Sequence, residues 1–224
     1  EHAREVLERL RSAGVRNEIM FELFGVPPPA FLRDIDRCVT HWSIEFSPES
    51  HDQAVRDAQE GEGDYTTEAM EDMLKEALRL RCERLDVFFM IGLPAQTIES
   101  VRATVDYCEH LFRLGDARLS CYISPMGPFL DPGSRGFEEP ERFGYRLFAR
   151  TLEEHRQLLL QPTWERILNY ETRWMTRREL VDATYDAAER LNELKVRYGR
   201  ISPRRGREVA ARIAAARALR ARLD

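Results

Sequence analysis

Two short segments hold the residue types that could do chemistry at a strand end: Ser47-Pro48-Glu49-Ser50 and Gly92-Leu93-Pro94. The first sets hydroxyls beside a carboxylate, which can accept two hydrogen bonds at once from a polar ligand. In the second, a glycine lets a ligand approach the backbone and a proline stiffens the turn. Glu22 and Glu45 add two carboxylates inside apolar runs. A buried unpaired carboxylate is costly, so each of these is partnered or functional.

The elements that must position these groups follow from apolar spacing. Strands are predicted over Arg16–Phe24, Trp42–Phe46, Asp86–Leu93 and Arg118–Ser124. The unbroken run from Val87 to Ile91 predicts a strand buried on both faces of a parallel sheet. Thr97 is the predicted cap of a helix whose inward face is Ile98, Val101, Val105, Cys108 and Phe112. Ser47, Pro48 and Glu49 have the spacing of a helix cap, a first-turn proline and a first-turn acid. Short and long helices are predicted over Phe31–Cys38 and Thr66–Arg81, the latter with Met70, Met73, Leu74, Ala77 and Leu78 as a packing stripe. A strand followed by a ligand-facing loop is the repeating part of α/β barrels and doubly wound sheets.

Beyond the fourth strand the pattern changes. Residues 125–140 read as a loop with the turn signal Asp131-Pro132-Gly133, placed to grip a substrate. Thereafter only helices are predicted. One runs from Pro140 to about Leu160, and another opens on a Thr176/Glu179 capping box, buries Leu180, Ala183, Ala187, Leu191 and Leu194, and ends at Gly199. Between them, Tyr170, Arg173, Trp174 and Arg177 either stack on a substrate or cofactor, or Trp174 packs under the last helices. The expected architecture is an α/β fold: a partial (β/α) barrel of about four parallel strands in residues 1–135, a helical region in 136–200 and a basic helical tail in 201–224.

Composition excludes several classes. No apolar run approaches the ~20 residues of a membrane span. The four cysteines, Cys38, Cys82, Cys108 and Cys121, are scattered, and no signal peptide is evident, which suits a reducing cytoplasm. Cys108 and Cys121 read as small buried hydrophobes. The net charge is −5, yet the segment 191–224 carries ten basic residues against three acidic ones. That tail reads as a solvated helix lying across an acidic body, with nucleic acid the less favoured partner. The histidines have no partners at metal-ligand spacing; His51 reads as a capping or supporting residue beside Glu49. No catalytic Ser/His/Asp arrangement, P-loop or dinucleotide fingerprint occurs.

Five segments together carry a resemblance: SIEFSPESHDQAVR, FFMIGLPAQTIESV, PFLDPGSRGFEEPERFGYRLF, TLEEHRQ and LNYETRWMTR. From about Val15 to Tyr198 the chain resembles the radical S-adenosylmethionine superfamily, in its cobalamin-binding-domain-containing branch. In that family a four-iron four-sulfur cluster reduces S-adenosylmethionine, and the adenosyl radical so formed abstracts a substrate hydrogen. The resemblance implies that Ser47, Glu49 and Ser50 meet S-adenosylmethionine on the fourth barrel strand. It implies that Gly92, Leu93 and Pro94 approach the nucleoside on the fifth, that Ile123, Pro125 and Met126 lie beside the adenine on the sixth, and that Glu22 and Glu45 point into the barrel.

One departure matters most. The cluster motif CxxxCxxC is absent from the 224 residues. The sequence opens within a helix whose apolar face is Ala3, Val6, Leu7 and Leu10, with Gly14 as a stop signal. A fragment or separately encoded half, holding barrel strands three to six, is the expectation. Its partners would then be the missing N-terminal half or a companion chain, and a small-molecule substrate; cobalamin, if used, would sit in a missing domain. The rival readings are a non-catalytic partial-barrel scaffold and an ordinary barrel lyase or hydrolase using Glu22 and Glu45.

Overall fold

The computed structural model describes residues 2–60, 64–125 and 129–223. Helix α1 (His2–Ser12) is followed by β1 (Ile19–Leu23), α2 (Pro29–Cys38), β2 (Trp42–Glu49), α3 (Gln53–Asp57), α4 (Thr67–Arg79), β3 (Leu85–Ile91), α5 (Ile98–Phe112) and β4 (Leu119–Pro125). The four strands are parallel and lie side by side in sequence order. The crossover helices α2, α4 and α5 sit together, joined by Arg33–Glu76 between α2 and α4 and by Tyr107 and His110 to Glu71 between α5 and α4. A run of right-handed crossovers requires this one-sided arrangement.

Register decides which side chains the helices cover. Trp42, Ile44 and Phe46 align with the face that carries Leu85, Val87, Phe89, Leu119 and Cys121, and all of these are buried. Burying this many aliphatic and aromatic side chains, at roughly 1.5–3 kcal/mol each, is the main stabilising contribution of the fold. The opposite face carries a polar row in register, Glu22, Glu45, Asp86 and Ser120. The expectation that β3 is buried on both faces is therefore corrected. Phe88 and Met90 are half-buried on a face that no crossover helix covers.

Helix ends follow local chemistry. Thr97 caps α5 by accepting from the Ser100 N–H at 3.2 Å, and Thr66 caps α4 by accepting from Ala69. The end of α4 is satisfied by Arg118, which donates to the carbonyls of Leu78, Leu80 and Cys82 while Asp116 holds its guanidinium.

The C-terminal region comprises α6 (Arg135–Glu138), β5 (Tyr145–Leu147), α7 (Leu152–Leu159), α8 (Trp164–Ile167), β6 (Tyr170–Thr172), α9 (Arg177–Arg197) and α10 (Pro203–Leu223). A purely helical region was expected; β5 and β6 instead form a small antiparallel sheet. The single helix predicted from Pro140 is also corrected. Helix α7 is preceded by its cap, Thr151, which forms a reciprocal capping box with Glu154. The Thr176/Glu179 box and the Gly199 stop, with φ of 68°, are as the sequence predicts. Helix α9 runs along α5 and β4, where Lys195 Nζ lies 3.6 Å above the Tyr122 ring.

The basic tail folds back on an acidic helix face. Arg217 pairs with Asp186 at 2.6 Å and with Glu189, and the buried Arg220 pairs with Asp182 and Glu165. Gly206 permits the close approach: a Cβ there would collide with Val196 of α9.

Candidate functional site

The SPES segment is not a helix start. Residues 47–49 continue β2 through a bulge, in which Phe46 to Glu49 oppose Val87 to Phe89, one extra residue on the β2 side. Pro48 lacks an N–H and is tolerated at such an irregularity. Bulges re-aim side chains, and this one ends with Glu49 at φ 63°, a left-handed conformation uncommon for glutamate. The cap of α3 is Asp52, which accepts from the Ala54 N–H at 3.0 Å, while Ser50 Oγ accepts from the Asp52 N–H at 3.1 Å. Ser50 is thus buried in the turn that carries Glu49.

Beneath this turn lies Arg56, 1 % exposed. It donates to the Ser50 carbonyl at 2.8 Å, to Gln53 Oε1 at 2.7 Å and to Thr67 Oγ1 at 3.2 Å, and it stacks on Tyr65 with 5.1 Å to the ring centroid. The guanidinium therefore fastens the end of β2 to the starts of α3 and α4.

A cavity of about 470 Å³ opens at the carboxyl end of β1 and β2. Its walls are Phe24, Gly25 and Val26 after β1, Ser47, Pro48 and Glu49 after β2, and Arg56, Gln59, Asp64 and Tyr65. That size suits a small-molecule site. Two buried polar atoms of its wall residues, Arg56 Nε and the Tyr65 hydroxyl, have no hydrogen-bond partner. Burial pushes the Tyr65 phenol up to about 12, the Arg56 charge opposing and the Glu49 charge adding to the shift.

The second loop behaves differently. Gly92, Leu93 and Pro94 are all buried, and none of them lines this cavity. The Gly92 N–H donates to Gln96 Oε1 at 2.8 Å, and Gln96 Nε2 donates to the Met90 carbonyl at 2.9 Å. Gly92 has φ 99°, and a Cβ built there would stand 2.8 Å from the Tyr170 hydroxyl. The close approach that glycine allows is made by a tyrosine of β6. The Tyr145 hydroxyl of β5 donates to the Gly92 carbonyl at 3.1 Å. Both loops stand on the same rim of the sheet, as parallel strands dictate, with the β5–β6 sheet packed against the second.

The remaining expectations are placed as follows. Ile123 and Pro125 align with Phe89 and Ile91, on the face the helices cover, while Tyr122 and Ser124 occupy the open face; Met126 lies outside the described residues. Glu22 is exposed and Glu45 half-buried on that open face. The buried carboxylate is Asp86, whose Oδ2 lies 3.4 Å from Arg84 Nε and whose Oδ1 has no hydrogen-bond partner. Burial raises its pKa, with Arg84 and Lys195 opposing. His51 is not a cap; its Nδ1 lies 2.9 Å from Thr104 Oγ1 on α5. Trp174 packs over Gly144 rather than under the last helices.

Sequence reasoning missed Arg56, Tyr65, Gln96 and Tyr145, and it offered Tyr170 as a stacking residue for a substrate or cofactor rather than as the ring packed over Gly92. An arginine on a five-residue helix reads as surface, and nothing local marks it as a buried strut. The tyrosines act through contacts with residues far along the chain.

The cysteines do not form a cluster site. Cys108 and Cys121 are buried against each other, and burial holds the Cys108 thiol well above its ordinary value. Cys82 is pushed up to about 11 by burial. Among the described residues no group of three His, Cys, Asp or Glu side chains is placed to hold a metal ion. These residues do not fit an iron–sulfur cluster. The donor set around Glu49 does fit a nucleoside bearing a zwitterionic tail: hydroxyl, carboxylates, aromatic rings and a buried guanidinium.

No protein-family model matches the chain, and no curated protein matches it. Among solved structures, it is similar to a radical S-adenosylmethionine methyltransferase, TsrM from Kitasatospora setae, with cobalamin and a 4Fe-4S cluster bound. The TM-score is 0.50 at 14% identity, covering 90% of this chain and 40% of that one. At that identity the likeness is one of fold, an α/β parallel sheet with a helical C-terminal region, and the chain spans well under half the length of its neighbour. Among the described residues no helix is long and apolar enough to cross a membrane.

Proposed function

We propose that this chain is the S-adenosylmethionine-binding and substrate-facing part of a radical enzyme, with cluster ligands supplied by polypeptide outside these 224 residues. The observation that carries the reading is the bulged end of β2, which sets Ser47 and Glu49 in the wall of a cavity at the carboxyl rim of a parallel sheet. S-adenosylmethionine, when bound, supplies a sulfonium centre with transferable carbon groups. This chain's residues bind and orient it. Glu49 accepts hydrogen bonds from the ribose hydroxyls, Ser47 adds a donor, Tyr65 and Phe24 offer ring faces, and Arg56 holds the turn in place. The open face with Phe88, Tyr122 and the carboxylate row is where a substrate would lie.

The partner in this reading supplies the rest of the barrel. Among the described residues β1 and β4 each pair with a strand on one side only, so the outer edges of the sheet are where further strands would add. The second reading is a partial-barrel interaction module without catalysis of its own; scattered cysteines are expected under both, and cofactor binding separates the two. Calorimetry with S-adenosylmethionine on the complete assembly tests the first. Glu49→Gln keeps the shape but loses a charge-assisted contact of roughly 1.5–3 kcal/mol, so binding should weaken about tenfold to a hundredfold. Equal affinity for wild type and variant would leave Glu49 as a turn residue only.

A further inference from the structure

We infer that Glu60 is a positioning residue of the cavity: gripped by Arg135 and Arg142, it ties the wall segment that carries Gln59 to the C-terminal region, and that region thereby sets how tightly the cavity holds its ligand. The inference rests on the proposed cofactor site and adds a residue to which no role there has been given. Two walls of the cavity are strand ends, but the third, with Gln59, Asp64 and Tyr65, belongs to no strand. It lies between α3, only five residues long, and the start of α4. Gln59 is half-buried and Glu60 exposed, so core packing does little to fix this stretch.

Hydrogen bonds supply the grip. Arg135 Nη1 donates to the Glu60 carbonyl at 2.8 Å and Arg135 Nη2 to Glu60 Oε2 at 2.9 Å, across 75 residues of sequence. Arg142 Nε donates to Glu60 Oε1 at 3.2 Å, and Arg142 Nη2 reaches Oε2. One glutamate thus receives four N–H donors, one of them on its main chain. Glu60 has φ 51°, a left-handed conformation that persists where the surroundings over-determine it. The two guanidinia are set in advance. Both lie over the buried Phe143 ring, 5.2 and 5.6 Å from its centroid, and Glu139 accepts from Arg142 Nη1 at 2.7 Å. On the other side, the Glu60 N–H donates to the Asp57 carbonyl at 3.3 Å and the Gln59 N–H to the Arg56 carbonyl at 3.1 Å. The grip on Glu60 is therefore passed to Gln59 and Arg56, both of which line the cavity.

Binding of S-adenosylmethionine to the complete assembly and hydrogen exchange on the full chain test this together. Glu60→Gln keeps the shape but loses the charge on which both arginines converge, and it should weaken binding about three- to tenfold. Arg142→Gln should weaken it less, since Arg135 still holds Glu60, and the double variant should match Glu60→Gln, as residues acting through one contact require. Unfolding midpoints should stay within about 2 °C of wild type, because exposed ion pairs add little to global stability. Exchange in residues 53–60 should rise about two- to fivefold in Glu60→Gln, as local loosening predicts. Arg146→Gln, which breaks a surface ion pair with Glu171 away from the cavity wall, should change neither readout. Wild-type affinity or wild-type exchange in Glu60→Gln, additive losses in the double variant, or a loss of binding matched by a fall in midpoint would overturn the inference. If wild type binds no S-adenosylmethionine, the functional reading fails while the exchange experiment still decides whether Glu60 holds this wall.

Discussion

Gly92→Ala strikes the point where β3 meets the C-terminal region, and its cost can be worked from two separate contributions. At φ 99° an L side chain is strained, and such conformations cost of order 1–3 kcal/mol. The new methyl would also lie 2.8 Å from the Tyr170 hydroxyl and 3.2 Å from its Cε2, with Tyr170 itself fully buried. Overpacking of this kind costs about 1–3 kcal/mol. The sum is about 2–6 kcal/mol, and at about 2–4 °C per kcal/mol for a chain of this size the unfolding midpoint should fall by roughly 4–24 °C. Calorimetric or denaturant unfolding of wild type, Gly92→Ala, Tyr170→Phe and the double variant separates the two parts. Removing the Tyr170 hydroxyl takes away the 2.8 Å contact but not the backbone strain. The double variant should therefore regain about 1 kcal/mol relative to Gly92→Ala, a coupling that independent sites would not show. A Gly92→Ala protein within about 0.5 kcal/mol of wild type, or a double variant no better than the single, would refute the assignment of Tyr170 as the group that occupies the space over Gly92.

Arg56→Met, which keeps the length of the side chain but none of its donors, should lower stability by about 2–4 kcal/mol in urea unfolding, because the Ser50 carbonyl and Thr67 hydroxyl lose a charged donor. Thr176→Ala should cost about 0.5–2 kcal/mol through loss of the cap of α9, with Glu179→Ala overlapping rather than adding to it, as a reciprocal box requires. Burial lowers the pKa of His51 below its ordinary 6.5, with Asp52 and Asp106 opposing and Arg56 reinforcing the shift. The unfolded chain then binds the proton more readily, so this contribution to stability is present above pH 6.5 and lost as the pH falls towards the folded value. His51→Gln should flatten the pH dependence of stability in that window.

The sheet was legible because its strands are apolar runs closed by loop signals, and a parallel order follows from the helices between them. The Thr97 and Thr176 caps were legible for the same reason, since their chemistry is local. Ser47-Pro48-Glu49 misled because cap, proline and acid suit a helix start and a bulged strand end alike; the arbiter is the pairing with Val87 and Phe89, which is not local. The strands at Tyr145 and Tyr170 are three residues each, too short to show a period, and their partners lie 23 residues apart or more. Trp174 could not be placed from spacing because what it meets is the bare backbone of Gly144. The face on which Ile123 lies is set by parity alone: one residue along a strand separates the open face from the covered one.

The central claim is that the cavity walled by Ser47 and Glu49 receives S-adenosylmethionine, and photolabelling tests it most directly because a covalent mark records even weak occupancy. Irradiation of the chain with an azido analogue of S-adenosylmethionine, followed by peptide mapping, should place the label between Trp42 and Glu60. Excess S-adenosylhomocysteine should suppress it, and Glu49→Gln should reduce it. A label spread evenly over the surface, one that S-adenosylhomocysteine does not displace, or one confined to the C-terminal helices would contradict the account.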